Sequence, residues 1–242
     1  MFNKLAWAAV ATELLSCSAG SAATLQVGPA LIEVLAPGAA STLTLRNNGE
    51  RPINVQVRVF RWSAENGEER LEPTDEVIAS PPAVALAPKV DYIARVVRVS
   101  KRPVVGEEAY RLLVDELPDV EQSKAATIKI LVRHSIPVFF AAPERRASSV
   151  AWSVRKRGNQ LVVSAQNSGE ARLRVSALSI RDSGGRTVSF GNGLVGYVLG
   201  GSTIHWSAPV SQSGFATSGA ATISGQGNEG PINATASVSA RN

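Results

Sequence analysis

The sequence predicts an all-β chain folded as two sandwiches in tandem. Three observations carry that expectation. Almost every readable segment alternates apolar and polar residues with a period of two. Gly, Asn or Pro turns separate these segments at a spacing of roughly 8 to 12 residues, as sandwiches require. The pattern also breaks once, just after residue 140, dividing the chain into parts of similar length. No segment beyond the first two dozen residues shows a convincing helical period.

The N-terminus reads as an export leader. Lys4 supplies a positive start, residues 5–15 an apolar run, and residues 18–23 a small-residue zone suited to cleavage at Ala22 or Ala23, which makes 1–23 a signal peptide. The run is shorter than the roughly 20 apolar residues that span a bilayer. Leu14-Leu15-Ser16-Cys17 also has the layout of a lipoprotein site with Cys17 acylated, although Leu15 fits poorly there and small residues continue beyond it. Cys17 is the only cysteine, so simple cleavage leaves none, and the fold must be held by its cores.

Residues 24–242 suit two domains of about 100 residues each, expected at 24–142 and 143–242. Leu43 and Leu45 alternate with Thr42, Thr44 and Arg46 ahead of Asn47-Asn48-Gly49, and Ile53, Val55, Val57 and Val59 alternate after it. This predicts a hairpin-like pair with one buried face. Asn66-Gly67 marks the next turn, after Trp62, and residues 80–88 form a Pro-rich connection in which Pro81 and Pro82 exclude a central strand. Strands resume over 90–99, 109–116 and 126–140, the last being the longest apolar strand-like run after the leader. Pro143 and the charged Glu144-Arg145-Arg146 then interrupt the pattern.

Beyond the break, 161–165, 173–180, 187–190 and 197–199 read as strands of a second, shorter-stranded sandwich, with turns at 167–169, 183–185 and 200–201. From Ser211 onward Ser, Gly, Ala, Thr and Asn dominate, and edge strands joined by mobile loops are expected, with a loose terminus. Asn233-Ala234-Thr235 matches a glycosylation acceptor and reads as coincidence.

Charge is shared unevenly. Residues 24–142 carry 14 Lys/Arg against 15 Asp/Glu, whereas 143–242 carry 10 against 4, so the basic character belongs to the second half. Arg145-Arg146 and Arg155-Lys156-Arg157 lack an interleaved aromatic stacking set, and export argues against nucleic acid, so the charge reads as a solvated surface.

Catalytic chemistry has little to draw on. His134 and His205 are the only histidines and fall in different halves, with no Cys-His, His-x-x-x-His or Gly-x-Ser-x-Gly pattern. Asp115 and Glu116 are strand neighbours and point to opposite faces. No enzyme activity, cofactor, metal site or small-molecule substrate is expected.

Tyr110-Arg-Leu-Leu-Val-Asp-Glu-Leu-Pro118 resembles the signature strand and turn of the periplasmic pilus chaperones of the chaperone-usher pathway, in the archaic branch associated with spore-coat-like pilins. Ser135-Ile-Pro-Val-Phe-Phe140 is similar to the end of that family's subunit-binding strand. Leu45-Arg-Asn-Asn-Gly49, Ile78-Ala-Ser-Pro-Pro82, Trp152, Asn167-Ser-Gly169 and Gly193-Leu-Val-Gly-Tyr-Val-Leu-Gly200 are similar to its further segments, in the family's order. The resemblance implies two immunoglobulin-like β-sandwich domains in a boomerang arrangement. It also implies a periplasmic protein that binds pilin subunits by donating a β-strand and delivers them to an outer-membrane usher. A donor strand without a client also permits self-association.

Ala126, Ile128, Ile130 and Val132 share one face at period two and are the expected pilin-groove residues, with Thr127, Lys129, Leu131 and Arg133 opposite. Alternatively Ile128, Ile130 and Val132 line their own domain's core. Relatives of this kind hold the pilin's C-terminal carboxylate with an Arg in the first strand and a Lys late in the subunit-binding strand. The corresponding positions here are Leu31 and Pro137, and neither can pair with a carboxylate. Arg111, in the signature strand, is the expected replacement, and Arg133 is second; the alternative for each is a structural ion pair. Pro81, Pro82 and Leu117 fall near positions that resemble the family's usher-facing surface. Two other readings compete. A carbohydrate-binding tandem sandwich predicts aromatics on exposed loops, whereas Trp62, Trp152 and Trp206 lie in or beside strand-like segments. A pilin or adhesin needs an N-terminal donor extension, for which residues 24–29 are too few.

Overall fold

The computed structural model describes residues 25–118, 130–210, 214–216 and 218–240, and every regular element among them is a β-strand. The expected leader, residues 1–23 with Cys17 among them, lies outside the described residues, as do Ala126 and Ile128.

Two sheets face each other in the first half. One has the order β1 (Leu25–Gly28), β3 (Ala40–Asn47), β8 (Asp91–Arg98), β6 (Val77–Ser80). The other runs β2 (Ile32–Leu35), β10 (Arg133–Ala141), β9 (Glu107–Leu117), β4 (Ile53–Glu65), β5 (Glu68–Pro73), with β7 (Ala83–Leu86) also paired to β4. Alternation places Leu43, Leu45, Ala94 and Val96 of one sheet against Val55, Val57, Leu112, Val114, Val138 and Phe140 of the other in a single core. Each such large side chain contributes about 1.5–3 kcal/mol by leaving water.

The expected hairpin across Asn47-Asn48-Gly49 does not form. β3 and β4 lie in different sheets, so the chain crosses over at this turn. The buried Asn47 side chain directs the crossing. Its Oδ1 accepts from Gly49 N–H (2.9 Å), while Nδ2 donates to the carbonyls of Arg51 (2.6 Å) and Leu86 (3.1 Å). Both strands turn their apolar faces to the same core from opposite sides, which produces the alternation a hairpin would show. The second half repeats the device. Asn167 Oδ1 accepts from Gly169 and Ser149 N–H (2.9 and 3.0 Å), and Nδ2 donates to Ala171 and Val198 carbonyls (2.8 and 3.2 Å).

The second half is one continuous sheet wrapped around its own core. Its order is β14 (Thr187–Ser189), β13 (Leu173–Arg181), β17 (Gly219–Gln226), β18 (Pro231–Ala240), β11 (Val150–Arg157), β12 (Gln160–Asn167), β16 (Thr203–Pro209), with β15 (Leu194–Val198) on β13. With eight and ten residues, β17 and β18 are no longer than β9 and β4 of the first half, with eleven and thirteen. Nor are these two edge strands: they occupy the middle of the sheet. Ala221, Ile223, Ile232, Ala236 and Val238 from these strands all join the second core.

The halves are in contact through several of the described residues. Trp62, Ala109 and Phe139 of the first half pack with Tyr197 and Leu199 of the second in a separate buried cluster. The tip of the β4–β5 hairpin also bridges to Ile204 at the edge strand β16, and Gly67 C=O accepts from His205 N–H at 2.8 Å. Gly67 has φ +86°, and a Cβ there would run into the His205 ring, so glycine is required twice over.

Candidate functional site

Strand β10 has one edge paired throughout and one mostly open. β9 accompanies it from Arg133 to Ala141, whereas β2 runs parallel to it over Val138–Ala141 only. The bond from Glu116 N–H to Val132 C=O (3.1 Å) sets the phase: even-numbered residues turn their backbone groups toward β9 and odd-numbered ones away. Among the described residues nothing pairs with the outward N–H and C=O of Arg133 and Ser135, while Pro137 offers only a carbonyl. Such an edge is a template for strand addition.

Ile130, 80% exposed, and the half-buried Val132 immediately precede β10 and share the parity of Ile136, Val138 and Phe140. Ile130 therefore does not line its own core. Neither residue is in a strand of the free chain, and the other two expected groove residues lie outside the described region.

Arg111 lies on the outward face of β9, directly across from Pro137 on β10 and Phe60 on β4. Its guanidinium carbon is 3.7 Å from the centroid of the Trp62 ring and 5.9 Å from that of Tyr197. Its side chain is only 13% exposed. One guanidinium nitrogen reaches both Glu69 oxygens, at a long 3.4 Å, and no other carboxylate pairs with it among the described residues. Burial pushes the Arg111 pKa down, with Glu69 acting against that, yet arginine starts so high that it stays charged. The site thus holds a largely dehydrated cation with hydrogen-bond donors to spare.

Arg133 is a different case. It is 61% exposed and forms an ion pair with Asp115, which also accepts from Arg58 at 2.7 Å. Burial pushes the Asp115 carboxyl up, and the hydrogen bonds from Arg133 and Arg58 outweigh it, leaving the group below the usual aspartate range. Arg133 thus makes the ion pair that was its alternative role, at an exposed position. Leu31 packs against the buried cluster between the halves, and Pro137 is buried beside Arg111, so a cation meets this spot from the neighbouring strand instead.

A second arginine enters from the other half. Arg172 stacks on Phe139, with its guanidinium carbon 3.6 Å from the ring centroid. It is paired with Glu107 at 2.6 Å and with Glu33, and its own N–H donates to Glu107 at 3.0 Å. Sequence reasoning missed Arg172, Glu107, Glu69 and the ring contacts of Trp62 and Tyr197. One signal was available: Phe139 and Phe140 are consecutive in a strand, so both faces of β10 had to be covered there.

Pro81 and Pro82 occupy the crossover from β6 to β7, with Pro82 C=O accepting from Val57 N–H at 2.8 Å. Leu117 ends β9 opposite Asn54. The three residues thus flank one end of β4, the prolines on its β7 side and Leu117 on its β9 side.

A chain of the CsuC–CsuE chaperone–tip adhesion subunit pre-assembly complex, from the archaic chaperone-usher Csu pili of Acinetobacter baumannii, is 24% identical with a TM-score of 0.67, covering 91% of this chain and 100% of that one. The E. coli chaperone DraB is 20% identical with a TM-score of 0.56, over 87% and 97% of the two chains. A chain of the Salmonella enterica SafA pilin–SafB chaperone complex is 18% identical with a TM-score of 0.60, over 89% and 98%. These likenesses show the fold, two immunoglobulin-like sandwiches. No curated protein sequence matches the chain. The profile described as pili and flagellar-assembly chaperone, PapD N-terminal domain, matches residues 24–145. With half of its length matched there and its strands in that fold, the chain belongs to the pili and flagellar-assembly chaperones.

Proposed function

We propose that this protein is a periplasmic chaperone that captures pilin subunits by strand addition along β10, holds the subunit's C-terminal carboxylate on Arg111, and delivers the subunit to an outer-membrane usher. The observation that carries this reading is the buried, under-paired Arg111 beside the end of an unpaired ladder. A subunit strand lying along residues 133–137 brings its chain end to Pro137 and so to the guanidinium. A pilin that lacks a strand exposes an apolar groove and open backbone groups, and a donated strand satisfies both. Ala126, Ile128, Ile130 and Val132 are the proposed groove-filling residues, and the high exposure of Ile130 suits that role. Pro81, Pro82 and Leu117 are proposed to face the usher. The separate cores support domains at 24–142 and 143–242, and the leader supports export to the periplasm. Solved relatives named as chaperone complexes with a pilin and a tip subunit support the class of partner.

The test is co-purification from periplasm. Wild-type protein should bring down a small secreted β-protein, and the double substitution Ile128→Asp, Ile130→Asp should abolish recovery while the chaperone stays folded by circular dichroism. Undiminished recovery with the double variant refutes strand donation.

A further inference from the structure

A guanidinium with only one long carboxylate contact still has a defined orientation here, and rings supply it. The Arg111 guanidinium carbon lies over the Trp62 ring, 3.7 Å from its centroid, and 5.9 Å from the centroid of Tyr197. The two rings brace each other edge to face, with centroids 5.4 Å apart and planes at 87°. Both residues are buried, so neither ring is free to swing. Arg172 on the same cluster shows the contrast, since two carboxylates fix it as well as a ring. Trp62 comes from β4 in the first half and Tyr197 from β15 in the second. The anchor's setting is therefore completed only when both halves are in place.

We infer that Trp62 and Tyr197 are positioning residues for the carboxylate anchor, and that the second sandwich thereby takes a direct part in gripping the client. The inference rests on the anchor role proposed for Arg111. A guanidinium binds a carboxylate well only when two parallel N–H groups are presented in its plane. A ring stacked on that plane holds it fixed while leaving its edge open. Tyr197 makes its contact through the ring, so phenylalanine should replace it and leucine should not.

The probe is a ten-residue alternating Val/Thr peptide, prepared with a free C-terminal carboxylate and as the C-terminal amide, titrated into wild type, Tyr197→Phe and Tyr197→Leu. Wild type and Tyr197→Phe should prefer the acid by about tenfold or more. Tyr197→Leu should lose most of that preference while binding the amide as wild type does. A merely structural role would weaken acid and amide alike and leave their ratio unchanged, and that result overturns the inference. If wild type binds acid and amide equally, or binds neither, the anchor reading itself falls. The NMR signal of the Arg111 Nε–H gives an independent check in wild-type protein. Stacking on Trp62 should displace it upfield by ring current, and an unshifted signal would overturn the positioning role even if Tyr197→Leu failed to fold.

Discussion

Replacing Arg111 by alanine tests the site most directly, because the structure separates its effect on capture from its effect on stability. On the proposed anchor role, a subunit carboxylate entering beside Pro137 loses water and meets a cation that is 13% exposed. Removing one partner of a buried ion pair costs about 3–5 kcal/mol. The residual exposure and the nearby Glu69 place this site at the lower end, and at about 1.4 kcal/mol per tenfold the Kd should rise roughly 100-fold. The free protein loses the stack on Trp62, worth about 0.5–2 kcal/mol, together with the more distant Tyr197 contact and a long, solvent-screened contact with Glu69 that adds little, so its Tm should fall by a few degrees. Arg111→Lys keeps the charge and loses the planar fork, and should recover about half of the lost binding on a logarithmic scale. Glu69→Gln removes a competing anion and should tighten capture a few-fold, modestly because Glu69 is itself solvent-screened. Capture is measured by surface plasmon resonance with the co-purified subunit refolded onto each variant, and Tm by calorimetry. If Arg111→Ala captures the subunit as wild type does, the arginine is no anchor, whatever the shift in Tm.

Two further outcomes concern the scaffold. Burial, followed by the Glu108 charge, pushes the Tyr110 hydroxyl up to about 12 from its ordinary 10. A raised folded pKa means that this contribution is fully present below about pH 10 and is lost between roughly pH 10 and 12, by about 2–3 kcal/mol. Urea unfolding across that range should show the loss in wild type and not in Tyr110→Phe; identical curves would contradict it. At the hairpin tip, Gly67→Ala meets both the positive φ and the His205 ring, and should cost at least about 1–2 kcal/mol in urea unfolding. Adding His205→Ala should recover the steric part, and a double variant no more stable than the single would show that the ring is not the obstacle.

The period-two pattern carried the all-β class because strand alternation is local, and each half has the core that pattern requires. Topology was less legible. An Asn-Gly turn looks the same whether it reverses a strand within one sheet or passes the chain to the facing one. At Asn47 the deciding bond runs to Leu86, 39 residues away. Residues 219–240 looked like edge material because Ala, Ser and Thr carry little hydrophobic signal, yet the few apolar residues among them are enough to seat both strands on the core in the middle of the sheet. Arg111 was readable as an anchor candidate only through the resemblance, which puts the expected cations at Leu31 and Pro137 and leaves the signature strand, ahead of Arg133, to offer another. Its setting was not, since Tyr197 and Glu69 reach it from distant elements and no local spacing links them.

Pro137 gives the open edge a reading direction. Its missing N–H falls on the outward side of β10, immediately before the place where Ile32 of β2 begins to occupy the same edge opposite Val138. A strand added along Arg133–Pro137 therefore meets β2 at Val138, and its ladder cannot continue past that point on this edge. For the proposed capture the open stretch is a short one, closed at one end by β2 and lacking its last donor at Pro137.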